Sequence, residues 1–308
     1  MPVASIYFFS KHNVLSRLLV KIAPKSGMVH QYFTVRQIFT LSFIFLLAFC
    51  QYTFCQPVHK KHHKKAVFEG PAVPVFKFST IIIDPGHGGK DPGAHGAYSK
   101  EKNIALAIGK KLRNALNEQM PSLKVVMTRS TDEFIELHRR DEIASENKGN
   151  LFISIHCNSM PQKVSDEKGV LLLVYGYHRA DEQLEALREN ASIFIEKDYK
   201  TKYSGYGQND AVNTIVLSNF QAKYRKECIR FADLVNREFK RVDGRPSHGV
   251  KEQGVLVLQQ SAMPAVLVET GFINNPKDEA YLNSVEGQSE IVQSLIRAIK
   301  KYKESFED

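Results

Sequence analysis

Thr80-Ile81-Ile82-Ile83-Asp84 runs directly into Pro85-Gly86-His87-Gly88-Gly89. The first five residues are short, apolar and β-branched. A proline–glycine pair ends them, so they read as a buried strand. The glycines around His87 permit positive φ and close backbone approach, which lets the imidazole point into a cleft. Outward from this strand, strands and helices alternate. Residues 101–118 place Ile104, Ala107, Ile108, Leu112, Ala115 and Leu116 at helical spacing. Strands are expected at 123–128, 151–156, 170–175, 255–258 and 265–269. Helices are expected at 134–147, 182–198, 223–240 and 287–303. Such alternation implies an α/β fold: one mostly parallel, twisted sheet with helices on both faces, forming a single catalytic domain. In such sheets sites lie at the carboxyl ends of the strands.

The net charge of +9 first suggests a polyanion partner. Its distribution argues otherwise. Residues 1–68 hold nine of the 42 Lys/Arg and no Asp or Glu, which leaves 33 basic against 33 acidic residues in the remainder. The globular part is neutral, so no nucleic-acid footprint is expected. Residues 38–50 form a nearly unbroken apolar run after Arg36, the length of a signal-peptide core. Residues 1–56 are therefore read as a leader, either a signal peptide or a membrane anchor, with Met28 as an alternative start. The basic run at 59–65 falls in a linker, 57–78, whose like charges keep it extended. Of four cysteines only Cys157 and Cys228 lie beyond the leader, too few for a disulfide framework.

Four residues carry candidate chemistry. His87 follows the first strand. Glu101 opens the next helix, where an acidic residue is also favoured by the helix dipole alone. His156 ends the strand at 151–156. Glu269 closes a fully apolar strand, where an unpaired carboxylate is costly and calls for a cation or a function. Singly, each has an ordinary structural explanation. Together, two histidines and a glutamate make a hydrolytic zinc site that leaves a coordination position for water. A second, non-ligating glutamate supplies a general base.

Four blocks then carry a resemblance: IIIDPGHGGKDPGAHG at 81–96 with EKNIAL at 101–106, VVMTRSTDEFIEL at 125–137, NLFISIHCNS at 150–159 and PAVLVETGFINNPKDEAYL at 264–282. In order and spacing the chain from about 79 to 303 is similar to the zinc-dependent N-acetylmuramoyl-L-alanine amidases of the amidase-3 family. The resemblance implies Zn²⁺ on His87, Glu101 and His156, with Glu269 as the catalytic carboxylate. It implies cleavage of the amide between N-acetylmuramic acid and L-alanine in peptidoglycan, in wall remodelling and daughter-cell separation; the leader is what makes the protein periplasmic or secreted, or else membrane-anchored. Arg129 and Arg140 match recurrent positions; pairing with acidic neighbours is the favoured role, and a hold on a stem-peptide carboxylate the other. Asn158 is expected to hydrogen-bond beside the third ligand.

The catalytic domain, 79–305, carries an insertion at about 176–222. Longer members of the family suggest that its acidic helix covers the site until an activator protein removes it, with Glu189 or Glu196 occupying the zinc's remaining position. A structural or substrate-selecting insertion is the alternative, and the acidic residues also fit a solvated face. Two other functions stay open: a zinc peptidase acting on stem peptides, and a non-catalytic wall-binding regulator on the same scaffold.

Overall fold

Ile81, Ile82 and Ile83 are all fully buried. The side chains of neighbouring strand residues point to opposite faces, so burial of all three requires cover on both sides of the sheet. The computed structural model supplies it. It describes residues 77–176, 183–202 and 211–306, with only the backbone for 202 and 211–222. The leader and nearly all of the linker lie outside the described residues.

The elements in chain order are β1 (Thr80–Pro85), α1 (Glu101–Gln119), β2 (Lys124–Met127), α2 (Leu137–Glu146), β3 (Leu151–Asn158) and β4 (Val170–Tyr175). Then come α3 (Leu184–Asn190), a 3₁₀ turn (Ala191–Ile195), α4 (Tyr199–Lys202), α5 (Ala211–Arg237) and β5 (Ser247–Gln253). Last are α6 (Leu256–Gln259), β6 (Ala265–Phe272), α7 (Pro276–Asn283) and α8 (Val285–Glu304). The sheet order is β2-β1-β3-β6-β4-β5. All neighbours run parallel except β4 and β6, which are antiparallel. The expected α/β class, mostly parallel sheet and two helical layers are therefore found.

One layer packs α1, α5 and α8 against Ile81, Ile83, Ile153, Ile155, Val266 and Val268. The other packs Ala144 of α2, Ala186 of α3 and Val257 and Leu258 of α6 against Ile82, Phe152, Leu171 and Leu267. By strand alternation, Asp84, Ser154, His156 and Glu269 share this second face. That face, at the carboxyl ends of β1, β3 and β6, carries the site.

Two local expectations are corrected, and one strand is unforeseen. The strand expected at 255–258 is instead the short helix α6. All of Val255–Leu258 are buried, and a short apolar run does not distinguish strand from helix by period. The sheet edge is β5, which is half-exposed, glycine-containing and polar, so it lacks an apolar signature. The helix expected at 182–198 stops at Asn190, whose side chain accepts from Leu256 N and donates to Gly254 O, both at 2.8 Å. The 3₁₀ turn follows, and Asp198 sits at φ 59°. Cys157 and Cys228 are free thiols.

Candidate metal centre

His87 leaves β1 with φ 59°, a left-handed conformation uncommon for a side-chain-bearing residue. Two buried arginines hold that turn. Arg129 donates through Nε to Pro85 O (2.9 Å) and through Nη2 to Gly86 O (2.7 Å). Arg140 donates through Nη1 to Pro85 O and through Nη2 to His87 O, both 2.9 Å. Arg140 Nη1 also reaches Asp84 Oδ1 at 2.7 Å. Burial would raise Asp84, but the Arg140 charge and hydrogen bonds from Thr128, Ser154 and Arg140 outweigh it and hold the carboxyl below its ordinary range. Each arginine is only 2 % exposed, so neither reaches a substrate carboxylate in this conformation. Both are engaged in holding the backbone of the loop that carries His87. Gly86 is needed for a different reason: a Cβ there would collide with the His156 imidazole.

His87 Nδ1 lies 2.9 Å from Asp91 Oδ2, which turns Nε2 toward the cleft. Glu101 opens α1 and is 1 % exposed. Its Oε1 accepts from Cys157 N (2.8 Å) and lies 3.0 Å from His156 Nδ1, while Oε2 accepts from Ala94 N at 2.8 Å. The loop leading into α1 is tied down by Glu279 of α7, which accepts from the backbone N–H groups of Ala97, Tyr98 and Ser99. His156 and Glu269 are direct partners across β3 and β6.

His87, Glu101 and His156 thus converge, and Glu189 of α3 joins them; one donor atom from each of the four lies within 4.8 Å of the others. Glu189 Oε2 is 2.7 Å from His156 Nδ1 and 3.3 Å from His87 Nε2. His87 Nε2 and Glu189 Oε2 are buried, and none of these close approaches has hydrogen-bond geometry. Buried polar atoms are rarely left so, and these two lie 3.3 Å apart. Burial lowers both imidazoles, but Glu101 and Glu189 prevail, lifting His87 well above its ordinary value and His156 to about 9. The field of the cluster therefore favours a positive charge. Two imidazole nitrogens and carboxylate oxygens are a donor set that zinc accepts.

Glu269 is fully buried beside this cluster. Burial, with Glu189 and Glu101 nearby, pushes its carboxyl up to about 8 against the opposing pull of Arg188. Arg188 Nη2 donates to Glu269 Oε1 at 2.7 Å, and its Nη1 to Asn158 Oδ1 (2.6 Å) and Ser159 O (2.7 Å). Asn158, two residues after His156, thus hydrogen-bonds to Arg188, and its Oδ1 also accepts from Ser159 N at 2.7 Å. Glu196 does not enter the cluster. Once the helix ends at Asn190 the chain turns away, and Glu196 Oε1 instead accepts from Leu137 N at 3.0 Å. Arg188, Asp91 and Glu279 were not read from the sequence. Asp91 carried a weak signal, a carboxylate four residues after a histidine; the other two acquire meaning only from what faces them.

The segment holding Glu189 is seated on the domain along its length. Gln183 Oε1 accepts from Gly254 N (2.7 Å), Ala186 N donates to Gln253 Oε1 (2.8 Å), and Lys90 Nζ donates to Ile195 O (2.6 Å). Its outer surface is apolar, with Leu184, Leu187 and Phe194 at 51 %, 68 % and 67 % exposure.

Residues 81–301 match the family model described as N-acetylmuramoyl-L-alanine amidase. Over 226 residues the chain is 30% identical to N-acetylmuramoyl-L-alanine amidase AmiC of Escherichia coli O6:H1, covering 72% of this chain and 52% of that protein. The chain thus spans about half the length of that relative. Among solved structures, an N-acetylmuramoyl-L-alanine amidase from Clostridium difficile 630 shares the fold, with TM-score 0.55 and 23% identity over 75% of this chain and 99% of that one. The CwlD amidase of Clostridioides difficile, solved in complex with the GerS lipoprotein, aligns with TM-score 0.53 and 26% identity over 73% of this chain and 98% of that one. With the family model matched from the first strand to the last helix, the chain belongs to the N-acetylmuramoyl-L-alanine amidase family.

Proposed function

We propose that the chain is a zinc-dependent hydrolase of the amide between N-acetylmuramic acid and L-alanine in peptidoglycan, acting outside the cytoplasm. The observation that carries this reading is the convergence of His87, Glu101 and His156 around buried, unpartnered donor atoms, with Glu269 in register beside His156. When bound there, zinc supplies a Lewis acid and acidifies a coordinated water to a pKa of roughly 7. His87, Glu101 and His156 would hold the ion, and Asp91 would fix the tautomer of His87. With a cation held beside it the Glu269 carboxyl would stay ionised, and Glu269 would then take a proton from the attacking water and return it to the leaving nitrogen.

The described conformation is a closed one in this reading. Glu189 fills the remaining ligand position, while Arg188 occupies the carboxylate that serves as base. Activity then requires α3 to leave, and an activating protein is the agent. The exposed Leu184, Leu187 and Phe194 on the outer side of the segment suit a protein partner. The neighbour CwlD is itself solved with a lipoprotein partner. Among the described residues no helix is long and apolar enough to cross a membrane.

The test is product analysis. Purified sacculi are incubated with the zinc-loaded protein carrying Glu189→Ala. Intact stem peptides with free L-alanine amino termini support the reading. Fragments cut within the stem replace it with a peptidase, and no product at all leaves a wall-binding regulator.

A further inference from the structure

A second group of metal-ligating side chains lies at the far end of the same segment: Glu136, His138 and Glu196. Glu136 and His138 belong to the start of α2, on the body of the domain. Glu196 follows the 3₁₀ turn and belongs to the segment that carries Glu189. One donor atom from each lies within 4.8 Å of the others. His138 Nε2 is 3.5 Å from Glu136 Oε2, and its Nδ1 is 4.0 Å from Glu196 Oε2. The second separation is too long for a hydrogen bond. His138 Nδ1 is nonetheless a buried atom with no hydrogen-bond partner. An orphaned imidazole nitrogen beside two carboxylates marks a place where a cation would give that nitrogen a partner.

We propose that Glu136, His138 and Glu196 form a second divalent-cation site that fastens the 183–196 segment to the start of α2. One imidazole nitrogen and two carboxylate oxygens suit zinc or a similar borderline ion. Ligand bonds of about 2.0–2.2 Å put donor atoms roughly 3.4 Å apart in a tetrahedral site, so closure of this cluster needs a contraction of no more than about 1.4 Å. Glutamate side chains provide that by rotation. Glu136 and His138 are 29% and 31% exposed, so water completes the shell. Glu196 is suited to a bridging role, because its Oε1 is already fixed by Leu137 N and only Oε2 needs to engage the ion.

The consequence follows from connectivity. The segment is held at Glu189 by the first cluster and at Glu196 by the second, seven residues apart in sequence. An ion at the second site makes release of Glu189 harder, so the metal that serves the first site at low concentration opposes opening in excess. This regulatory consequence rests on the closed-state reading above; the ion site does not.

The test uses the full chain, stripped with a chelator and dialysed against rising Zn²⁺. Bound metal is counted by mass spectrometry, and amide hydrogen exchange is followed over 184–195. The chain is expected to bind one more ion per molecule than the variants His138→Gln and Glu136→Gln. Any zinc taken by His59, His62 and His63 of the linker is common to all three and cancels in the difference. The extra ion is expected to slow exchange over 184–195 at least severalfold in the unmodified chain and not in either variant. Equal metal counts in all three proteins overturn the site, and an extra ion that leaves exchange unchanged overturns its fastening role. Failure of the closed-state reading shows elsewhere, as unchanged turnover in Glu189→Ala with the metal difference intact.

Discussion

Arg188 donates to Glu269 at 2.7 Å while its neighbour Glu189 lies 2.7 Å from His156. Two consecutive residues of one helix thus engage the proposed base and the proposed metal centre. Releasing either contact favours the open form. Arg188→Ala and Glu189→Gln are each expected to raise turnover on purified sacculi by about tenfold, the equivalent of about 1.4 kcal/mol in the closed–open equilibrium. The double variant is expected to exceed both. Dye release from labelled sacculi measures this; rates at or below that of the unmodified chain in all three variants refute the inhibitory contact.

Glu269→Gln separates chemistry from ligation. It preserves shape next to His156 and does not touch the His87–Glu101–His156 triangle. Tested in an activated background such as Glu189→Gln, it is expected to keep its zinc while losing a factor of about 10²–10⁴ in turnover. Metal content and turnover measured on the same preparation decide it. A zinc-loaded variant of undiminished rate removes Glu269 from the role of base.

Asp91 acts through His87. Replacing it with alanine frees the imidazole to rotate and to adopt the other tautomer. Zinc affinity is expected to fall by about 10–100-fold, as for other partners of metal-bound histidines. Competition with a chromogenic chelator gives the number. Asp91→Asn, which retains a hydrogen-bonding group on Nδ1, is expected to recover part of it.

Asp141 of α2 gives a pH prediction away from the metal. Its carboxyl is raised well above the ordinary 3.8, first by burial and then by the negative charge of Asp84. The folded chain therefore holds this proton more tightly than the unfolded chain does. Stability from this group is complete below pH 3.8 and is lost as pH rises through the folded value. Asp141→Asn carries no such loss. It is expected to raise Tm at neutral pH by roughly 3 °C, the shift that goes with about 1 kcal/mol in a domain of this size. The gain should shrink as the pH is lowered. A gain independent of pH shows that ionisation of Asp141 is not its source.

Legibility in the sequence followed burial. β1, β3 and β6 sit in the middle of the sheet, so Ile81–Ile83, Phe152–Ile153 and Val266–Val268 are apolar on both faces, and their runs announce them. β5 is an edge with one face to solvent, and nothing in Ser247–Gln253 distinguished it from a loop. The convergence of His87, Glu101 and His156 was readable because each stands at the end of a legible element. Glu189 was named together with Glu196, because a helix continued to 198 makes both candidates; the break at Asn190 separates them. Arg188 was unreadable for a different reason. Nothing in its neighbours in the chain reveals that a carboxylate 81 residues away will face it.

The strand order has one more consequence, for the timing of assembly. β6 is the last strand to be synthesised, yet it lies in the interior of the sheet, between β3 and β4. Until it inserts, β2-β1-β3 and β4-β5 are two separate ribbons with unpaired edges, and such long-range pairing is the slow part of folding. The same insertion brings Glu269 alongside His156. A nascent or clipped chain that stops short of residue 265 therefore has both a divided sheet and no Glu269, the proposed base. The proposed hydrolytic power cannot precede completion of the domain, and the step that closes the sheet is also the step that arms it.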